Sequence, residues 1–187
     1  CRSVNMMSCG LANQTATGRF VFLQYANADA RLAGLDVSGS LPLVDDARLG
    51  ALRLDALLGY VDGENLDSDD GLYNIMPLNL RLDLRHRLGG WEGTLEGELV
   101  DAKDDVSEVR NEIATPGYGL LHLRAAYEWR RVRLDAGIEN LLDKRYALPL
   151  GGAYVGQGQT MAANGVPYGI AVPGMGRSIY TGISLSF

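Results

Sequence analysis

The chain carries thioether sulfur in two separate stretches, and thioether sulfur is a soft ligand that suits Cu(I). Met161 and Met175 lie in a glycine- and proline-containing stretch over residues 143–177, and Met6 and Met7 lie near the start of the chain. A stretch of that length without regular structure is often functional, although methionines also fill gaps in compact loops. The four methionines are candidate metal ligands, and Met161 and Met175 are also candidate ligand-binding residues.

The two cysteines and one histidine are further candidates for site chemistry. Cys1 and Cys9 flank Met6 and Met7, and their spacing allows a small looped disulfide, with a free pair or a metal site as alternatives. His122 could contact a solute or belong to a network of polar side chains. No nucleophile is placed beside a base in a recognisable motif, so we predict that the chain is not an enzyme and requires no cofactor.

An acidic run offers oxygen ligands in a different part of the sequence. Such a run could bind a hard cation, but its spacing differs from that of a helix-flanked calcium loop. A solvated external loop is therefore the favoured interpretation. The residues of the run are Asp62, Glu64, Asp67, Asp69 and Asp70.

Charge and composition limit the classes of function. Seventeen basic residues against 23 acidic ones give a net charge of −6, which argues against nucleic-acid binding. The hydrophobic fraction of 47% is too high for a disordered chain, yet no apolar run is long enough for a membrane-spanning helix. The chain starts at Cys1 without a recognisable signal peptide. We therefore expect either a processed N-terminus or a piece of a longer protein.

The elements that position these residues follow from a two-residue period. Over residues 78–85 every even position is leucine and every odd position is polar. A strand puts all four leucines on one face, whereas a helix would spread them around its circumference. The same alternation predicts seven strands, at residues 19–43, 50–62, 76–88, 91–103, 118–129, 131–142 and 178–187.

The connections and the two faces predict where this sheet lies. Short turns alternate with long connections, which is typical of a transmembrane β-barrel. One face carries leucine, alanine, valine and glycine, and the other carries arginine and carboxylates that can pair between strands. We predict an all-β, antiparallel transmembrane β-barrel wall, with its apolar face toward outer-membrane lipid and its charged face toward the lumen. Residues 1–18 are predicted to belong to an extracellular loop.

Aromatic residues give a separate indication of a membrane. Trp91, Trp129 and Phe187 fall on the apolar face beside a short turn or at the C-terminus, and Tyr60 ends its strand on the opposite side. Interfacial aromatic girdles have this placement. These four residues are therefore predicted membrane-interface aromatics.

The C-terminal third resembles the TonB-dependent receptors of Gram-negative outer membranes. Residues 137–146 read Gly-Ile-Glu-Asn-Leu-Leu-Asp-Lys-Arg-Tyr, similar to the family's Asn-Leu-Phe-Asp-Lys-x-Tyr motif, with Leu142 in place of phenylalanine. Residues 178–187 end in an aromatic residue, as outer-membrane barrels do. Residues 25–36 resemble the family's long descending strand, with Asp36 where glutamate is usual.

The resemblance implies a 22-stranded barrel that is preceded by a plug and driven by the TonB complex. On that basis the chain is expected to be a C-terminal part with about seven strands, located in the Gram-negative outer membrane. Its partners would be the rest of the barrel and the plug, which lie outside this chain, the TonB complex, and a metal or metal chelate. The implied function is uptake of a scarce metal or metal complex, such as siderophore-bound iron or copper.

Residues 148–152 and 173–177 also resemble the copper-associated branch of this receptor family. Two alternatives from other classes remain open at this point. One is a small self-contained outer-membrane barrel, either an adhesin or an enzyme, which would close with an even number of strands. The other is a soluble β-rich binding module.

Overall fold

The computed structural model describes residues 2–3, 21–22, 27–107, 112–151, 153–154 and 170–186. Every regular element in these ranges is a β-strand. Among these residues no helix is long and apolar enough to span a bilayer. The strands are β1 (Arg2–Ser3), β2 (Val21–Phe22), β3 (Ala30–Asp46), β4 (Gly50–Asn65), β5 (Asp70–Gly71), β6 (Asn79–Leu88), β7 (Trp91–Val100), β8 (Tyr118–Trp129), β9 (Val132–Glu139), β10 (Ala153–Tyr154), β11 (Ile170–Ala171) and β12 (Ser178–Leu185).

Seven long strands form one sheet in the order β12-β9-β8-β7-β6-β4-β3, and the short β5 pairs with β4 as the eighth strand. All neighbours in this sheet are antiparallel. The predicted all-β, antiparallel class is therefore confirmed. The two end strands, β12 and β3, do not pair with each other within the described part of the chain, so the sheet is an open wall.

The observed strand ends differ from the predicted spans by a few residues. β7 stops at Val100 rather than at residue 103, because Lys103 leaves the sheet to form an isolated bridge with Thr115. β9 stops at Glu139 rather than at residue 142, because Asn140 has a φ of 49° and turns the chain out of the sheet. The first predicted strand, 19–43, also differs: β3 runs from residue 30 through a bulge after Pro42 to residue 46.

The strand register aligns the side chains into rows that cross the whole sheet. One row contains only leucine and isoleucine, one residue from each of the seven long strands. Because successive side chains on a strand point to opposite faces, the next row lies on the other face and is polar. The apolar row is Leu41, Leu54, Leu84, Leu95, Leu123, Ile138 and Ile179. The polar row includes Ser40, Asp55, Asp83, Glu96 and His122, and we call the two faces the apolar face and the polar face.

Burial in this sheet is the reverse of that in a soluble protein. Leu95 is 39% exposed on the apolar face, whereas Glu96, the next residue, is 4% exposed on the polar face. Among the described strand residues, three apolar side chains other than glycine are buried, and all three point to the polar face: Val100, Leu120 and Ala126. Seven polar or charged residues are buried: Asp83, Glu96, Lys103, Ser107, Thr115, His122 and Asn140. The packed side of the sheet is therefore its polar side.

Candidate functional site on the polar face

Arginines and carboxylates alternate across five neighbouring strands of the polar face. Each arginine contacts the carboxylates on either side of it, so the series forms one continuous set of ion pairs that we call the charge ladder. Its members in order are Arg53, Asp55, Arg85, Asp83, Arg81, Glu96, Arg124 and Glu139. The prediction that opposite charges on neighbouring strands can pair is confirmed for these residues.

The centre of the charge ladder is the buried carboxylate of Glu96. Its Oε2 accepts hydrogen bonds from Arg81 at 2.8 Å and from Arg124 at 2.5 Å. Arg124 also donates from Nε to Glu139 at 3.2 Å. A buried charge is costly unless it is paired and hydrogen-bonded, and these two guanidinium groups supply both the pairing and the hydrogen bonds for Glu96.

His122 lies directly beside the charge ladder and is only 8% exposed. Its Nδ1 contacts the Glu139 carboxylate and lies 3.3 Å from the backbone nitrogen of Asn140. Its Nε2 is buried and has no hydrogen-bond partner, and the nearest carboxylate oxygen, on Glu98, is 4.0 Å away. The Tyr118 hydroxyl donates to the other oxygen of Glu98 at 3.2 Å.

Within the described residues, Glu96, Glu98 and His122 form the one group of three acidic or histidine side chains whose ligand atoms lie within 4.8 Å of one another. The acidic run proposed for a hard cation does not converge in this way. Glu64 pairs with Arg31 at 2.6 Å, and Asp67 accepts a hydrogen bond from the Asp29 backbone at 3.1 Å. The histidine was identified from the sequence, but its two glutamate neighbours were not, since only the register of β7 against β8 reveals them.

A cluster of hydrogen bonds that we call the loop-base clamp closes the polar face above His122. Asn140, 2% exposed, donates from its side-chain amide to the carbonyls of Lys144 at 2.9 Å and Met175 at 3.1 Å. It also accepts from the Lys144 backbone at 2.8 Å. Asp143 accepts from the Arg177 backbone at 3.0 Å. These contacts join the two ends of the segment between β9 and β12.

Tyr146 extends the loop-base clamp toward the candidate group. Its ring lies against Gly174, where an added Cβ would come within 2.1 Å of the ring carbons. The ring centroids of Tyr146 and Tyr118 are 4.5 Å apart. Because the Tyr118 hydroxyl also contacts Glu98, the base of the long segment packs directly against the polar face at His122.

The predicted sulfur ligands can be placed only in part. Met175 lies at the loop-base clamp with a side chain that is 71% exposed, and its carbonyl accepts from Asn140. This brings its backbone close to His122 but does not place a second sulfur beside it. Cys1, Cys9, Met6, Met7, Met161 and Phe187 lie outside the described residues. The sulfur site and the disulfide therefore stay predictions.

The three predicted interface aromatics that the structure describes lie on the apolar face, toward the ends of their strands. Trp91 and Trp129 each border a two-residue turn, at residues 89–90 and 130–131, and both are exposed. The Trp91 ring packs against Tyr127 in a tilted arrangement, with centroids 4.6 Å apart. Tyr60 is exposed near the opposite end of β4. Their position at a membrane interface stays a prediction.

A buried ion pair in the connection between β7 and β8 holds the connection before β6 through hydrogen bonds, and it was not predicted. Lys103, 2% exposed, donates to the Glu112 carboxylate at 2.6 Å and to the Ile75 carbonyl at 2.8 Å. Glu112 also accepts from the backbone nitrogens of Asn74 and Ser107, both at 3.0 Å. Lys103 is one of two lysines in the chain, and that rarity was the only sequence signal for it.

Comparisons with known proteins agree with this architecture. A family model described as "TonB dependent receptor-like, beta-barrel" matches residues 7–141. The solved structure of "Copper transporter OprC" superposes with a TM-score of 0.72 at 29% identity, covering 86% of this chain and 24% of that one. "Heme/hemopexin utilization protein C" of Haemophilus influenzae strain 86-028NP is 28% identical over 130 residues, which are 66% of this chain and 18% of the relative. The same protein of strain ATCC 51907 is also 28% identical, over 17% of its length.

Proposed function

The chain belongs to the TonB-dependent receptor β-barrel family, and we propose that it forms part of the wall of an outer-membrane receptor that takes up a scarce metal or metal complex. The observation that carries the proposal is the inversion of the two faces. A sheet that buries Glu96 and exposes Leu95 suits a wall between lipid and an aqueous lumen. Members of this family are outer-membrane proteins, which supports the Gram-negative outer membrane as the location.

The wall is proposed to be one section of a larger barrel. The chain spans 17 to 18% of the length of the curated relatives it matches, and 24% of the structural neighbour. An open sheet edge leaves backbone groups unpaired, which the hydrocarbon region does not tolerate. Further strands of the same receptor would therefore pair with β3 and β12. The plug and the contact with the TonB complex would be supplied by other parts of the receptor.

The cargo is proposed to be copper or an iron complex such as heme. The names of the matched proteins support this range, since one is a copper transporter and the others are heme/hemopexin utilization proteins. Met175 lies exposed at the base of the long segment that also contains Met161. Thioether ligands favour Cu(I), so these two methionines support copper as the cargo to test first.

Uptake is tested by deleting the full-length gene and measuring cellular copper and iron by mass spectrometry, with copper, heme or a ferric chelate as the limiting source. We expect the deletion to lower accumulation of one of these cargoes, and we expect loss of the TonB complex to lower it equally. Unchanged accumulation of all of them after deletion would overturn the proposal.

The copper assignment has a narrower test. Replacing Met161 and Met175 by leucine in the full-length receptor removes both sulfurs but keeps the side-chain volume nearly constant. Met76, in the segment between β5 and β6, provides a matched control as Met76→Leu. We expect copper accumulation to fall in the double variant and not in the control. Equal copper accumulation in the wild-type receptor, the double variant and Met76→Leu would reject the two methionines as copper ligands. It would not reject uptake of an iron complex.

A further inference from the structure

We propose that His122 and Glu98, completed by Glu96, form a binding site for a borderline divalent transition-metal ion of the Zn²⁺ type on the polar face of the wall. This site is distinct from the exposed methionines of the long segment, because it offers nitrogen and oxygen and no sulfur. It depends only on contacts within β7, β8 and β9, so it does not require the uptake function proposed above.

The first argument is the state of the imidazole. A carboxylate only accepts hydrogen bonds, so the contact of Glu139 with Nδ1 assigns the ring proton to Nδ1. The Asn140 backbone N–H also points at Nδ1, at 3.3 Å, and Nδ1 can accept this hydrogen bond only in the other tautomer. The Glu139 contact is the closer of the two and favours the proton on Nδ1. In the neutral ring Nε2 then carries a lone pair. A carboxylate that fixes a histidine through Nδ1 and leaves Nε2 for a metal is a recurrent arrangement in metal sites.

The second argument is the missing partner of Nε2. His122 is 92% buried (8% exposed), and its Nε2 has no hydrogen bond. Buried polar atoms are nearly always satisfied, so an exception in a well-packed sheet requires an explanation. The gap of 4.0 Å to the Glu98 oxygen is too long for a hydrogen bond. A tetrahedral ion with bonds of about 2.0–2.1 Å separates two ligand atoms by roughly 3.4 Å, so a small movement of Glu98 closes the site.

The third argument is charge. The charge ladder has four arginines and four carboxylates, and Glu98 is a fifth carboxylate beside it. Four positive and five negative groups leave one negative charge. Among the described residues Glu98 has no arginine partner, and its contacts are the Tyr118 hydroxyl and the distant His122 Nε2. The uncompensated charge is therefore located where the lone pair of His122 points.

The donor set selects the class of metal. One imidazole nitrogen with carboxylate oxygens suits Zn²⁺ and similar borderline ions, whereas Cu(I) prefers thiolate and thioether sulfur. Glu96 is the weakest of the three ligands because its Oε2 already accepts from two arginines. Water would complete the coordination from the lumen side, where Glu98 is partly exposed.

The test is equilibrium binding of Zn²⁺ to the purified full-length receptor in competition with a chromophoric chelator. Glu98→Gln and His122→Gln are expected to weaken the affinity by more than about 100-fold, since even residues that only orient a ligand change metal affinity by about 10- to 100-fold. Glu139 positions His122 and does not bind the ion itself, so Glu139→Gln is expected to weaken the Zn²⁺ affinity by about 10- to 100-fold. Glu92→Gln is the matched control, because Glu92 lies on the same face of β7 and pairs with Arg87 at 3.1 Å.

Glu98→Gln is the decisive variant because it leaves the contacts of His122 with Glu139 and Asn140 in place. A folded wild-type receptor that binds no Zn²⁺ overturns the proposal, as does a Glu98→Gln receptor with wild-type affinity. Binding of Co²⁺ gives a second readout. The visible absorption of the bound Co²⁺ should indicate a nitrogen ligand in the wild-type receptor, and that signature should be lost in His122→Gln. Zn²⁺ binding that persists in a receptor without uptake activity would reject the transport proposal alone.

Discussion

The apolar row and the polar row are one residue apart on every long strand, yet their surroundings differ completely. The apolar row is leucine and isoleucine throughout, and its member Leu95 is exposed. In the polar row, Asp83, Glu96 and His122 are buried, and each contacts an oppositely charged or hydrogen-bonding side chain. The loop-base clamp covers the polar face at His122. A soluble antiparallel sheet would bury the first row and solvate the second. The difference shows that this sheet satisfies its polar face internally, and it supports the proposal that the apolar face contacts lipid.

The largest effect is expected from placing a charge in the apolar row. The row lies four residues from Trp91, which puts it near the middle of a membrane band about 25 Å tall. Leu41→Arg should destabilise the full-length receptor in vesicles by about 2–4 kcal/mol. The matched change Ser40→Arg introduces the same side chain into the polar row beside Asp55 and should cost far less. Urea unfolding from lipid vesicles measures both, and equal losses would contradict the assignment of the faces.

A smaller effect is expected from neutralising the centre of the charge ladder. Glu96→Gln leaves Arg81 and Arg124 without their shared carboxylate, and we expect a loss of about 2 kcal/mol, since both arginines are partly exposed. Glu92→Gln removes a carboxylate from the same face of β7 whose partner, Arg87, is far more exposed, so its cost should stay below about 1 kcal/mol. The same unfolding measurement checks the pair. If the charge ladder adds no stability, Glu96→Gln and Glu92→Gln will lower the free energy of unfolding by the same amount.

Two glycines provide a steric comparison of the faces. On the polar face, an added Cβ at Gly137 would lie 2.4 Å from the Tyr180 ring, whereas on the apolar face nothing lies within 4 Å of a Cβ at Gly97. Gly137→Ala should cost about 1 kcal/mol because the ring must move, and Gly97→Ala should be neutral or slightly stabilising. Urea unfolding from lipid vesicles measures both variants. Equal tolerance at both positions would show that the polar face is less tightly packed than described.

The smallest effect is expected at the turn between β3 and β4, which belongs to neither face. The backbone N–H groups of Leu49 and Arg48 hold the pKa of Asp46 below its ordinary value of 3.8. The resulting stabilisation is complete above that value and is lost as the pH falls through the lower folded-state pKa. Asp46→Asn should therefore lower stability slightly near neutral pH, leave it unchanged below the folded-state pKa, and so flatten the acid limb of the stability profile. An acid limb that is identical in both proteins would exclude this capping role.

The sequence was sufficient for the strands, their faces and the general pairing of charges, because a two-residue period is a local property of each strand. It could not supply the site at His122. Glu96 and Glu98 are more than 20 residues from that histidine, and only the antiparallel register brings them together. The Lys103–Glu112 pair was missed for a related reason, since both residues lie in a connection that has no period. Strand ends were misjudged where a side chain such as Asn140 captures the backbone.

The most direct test of the central claim is a spin-label scan along β7 in the full-length receptor in lipid vesicles, with Cys1→Ser and Cys9→Ser as background. Labels at positions 93, 95, 97 and 99 are predicted to be accessible to oxygen dissolved in lipid, and labels at 94, 96 and 98 to a water-soluble nickel chelate. The two accessibilities should alternate with a period of two residues and opposite phase. A scan without that alternation, or with nickel reaching position 95 and oxygen reaching position 96, would contradict the account.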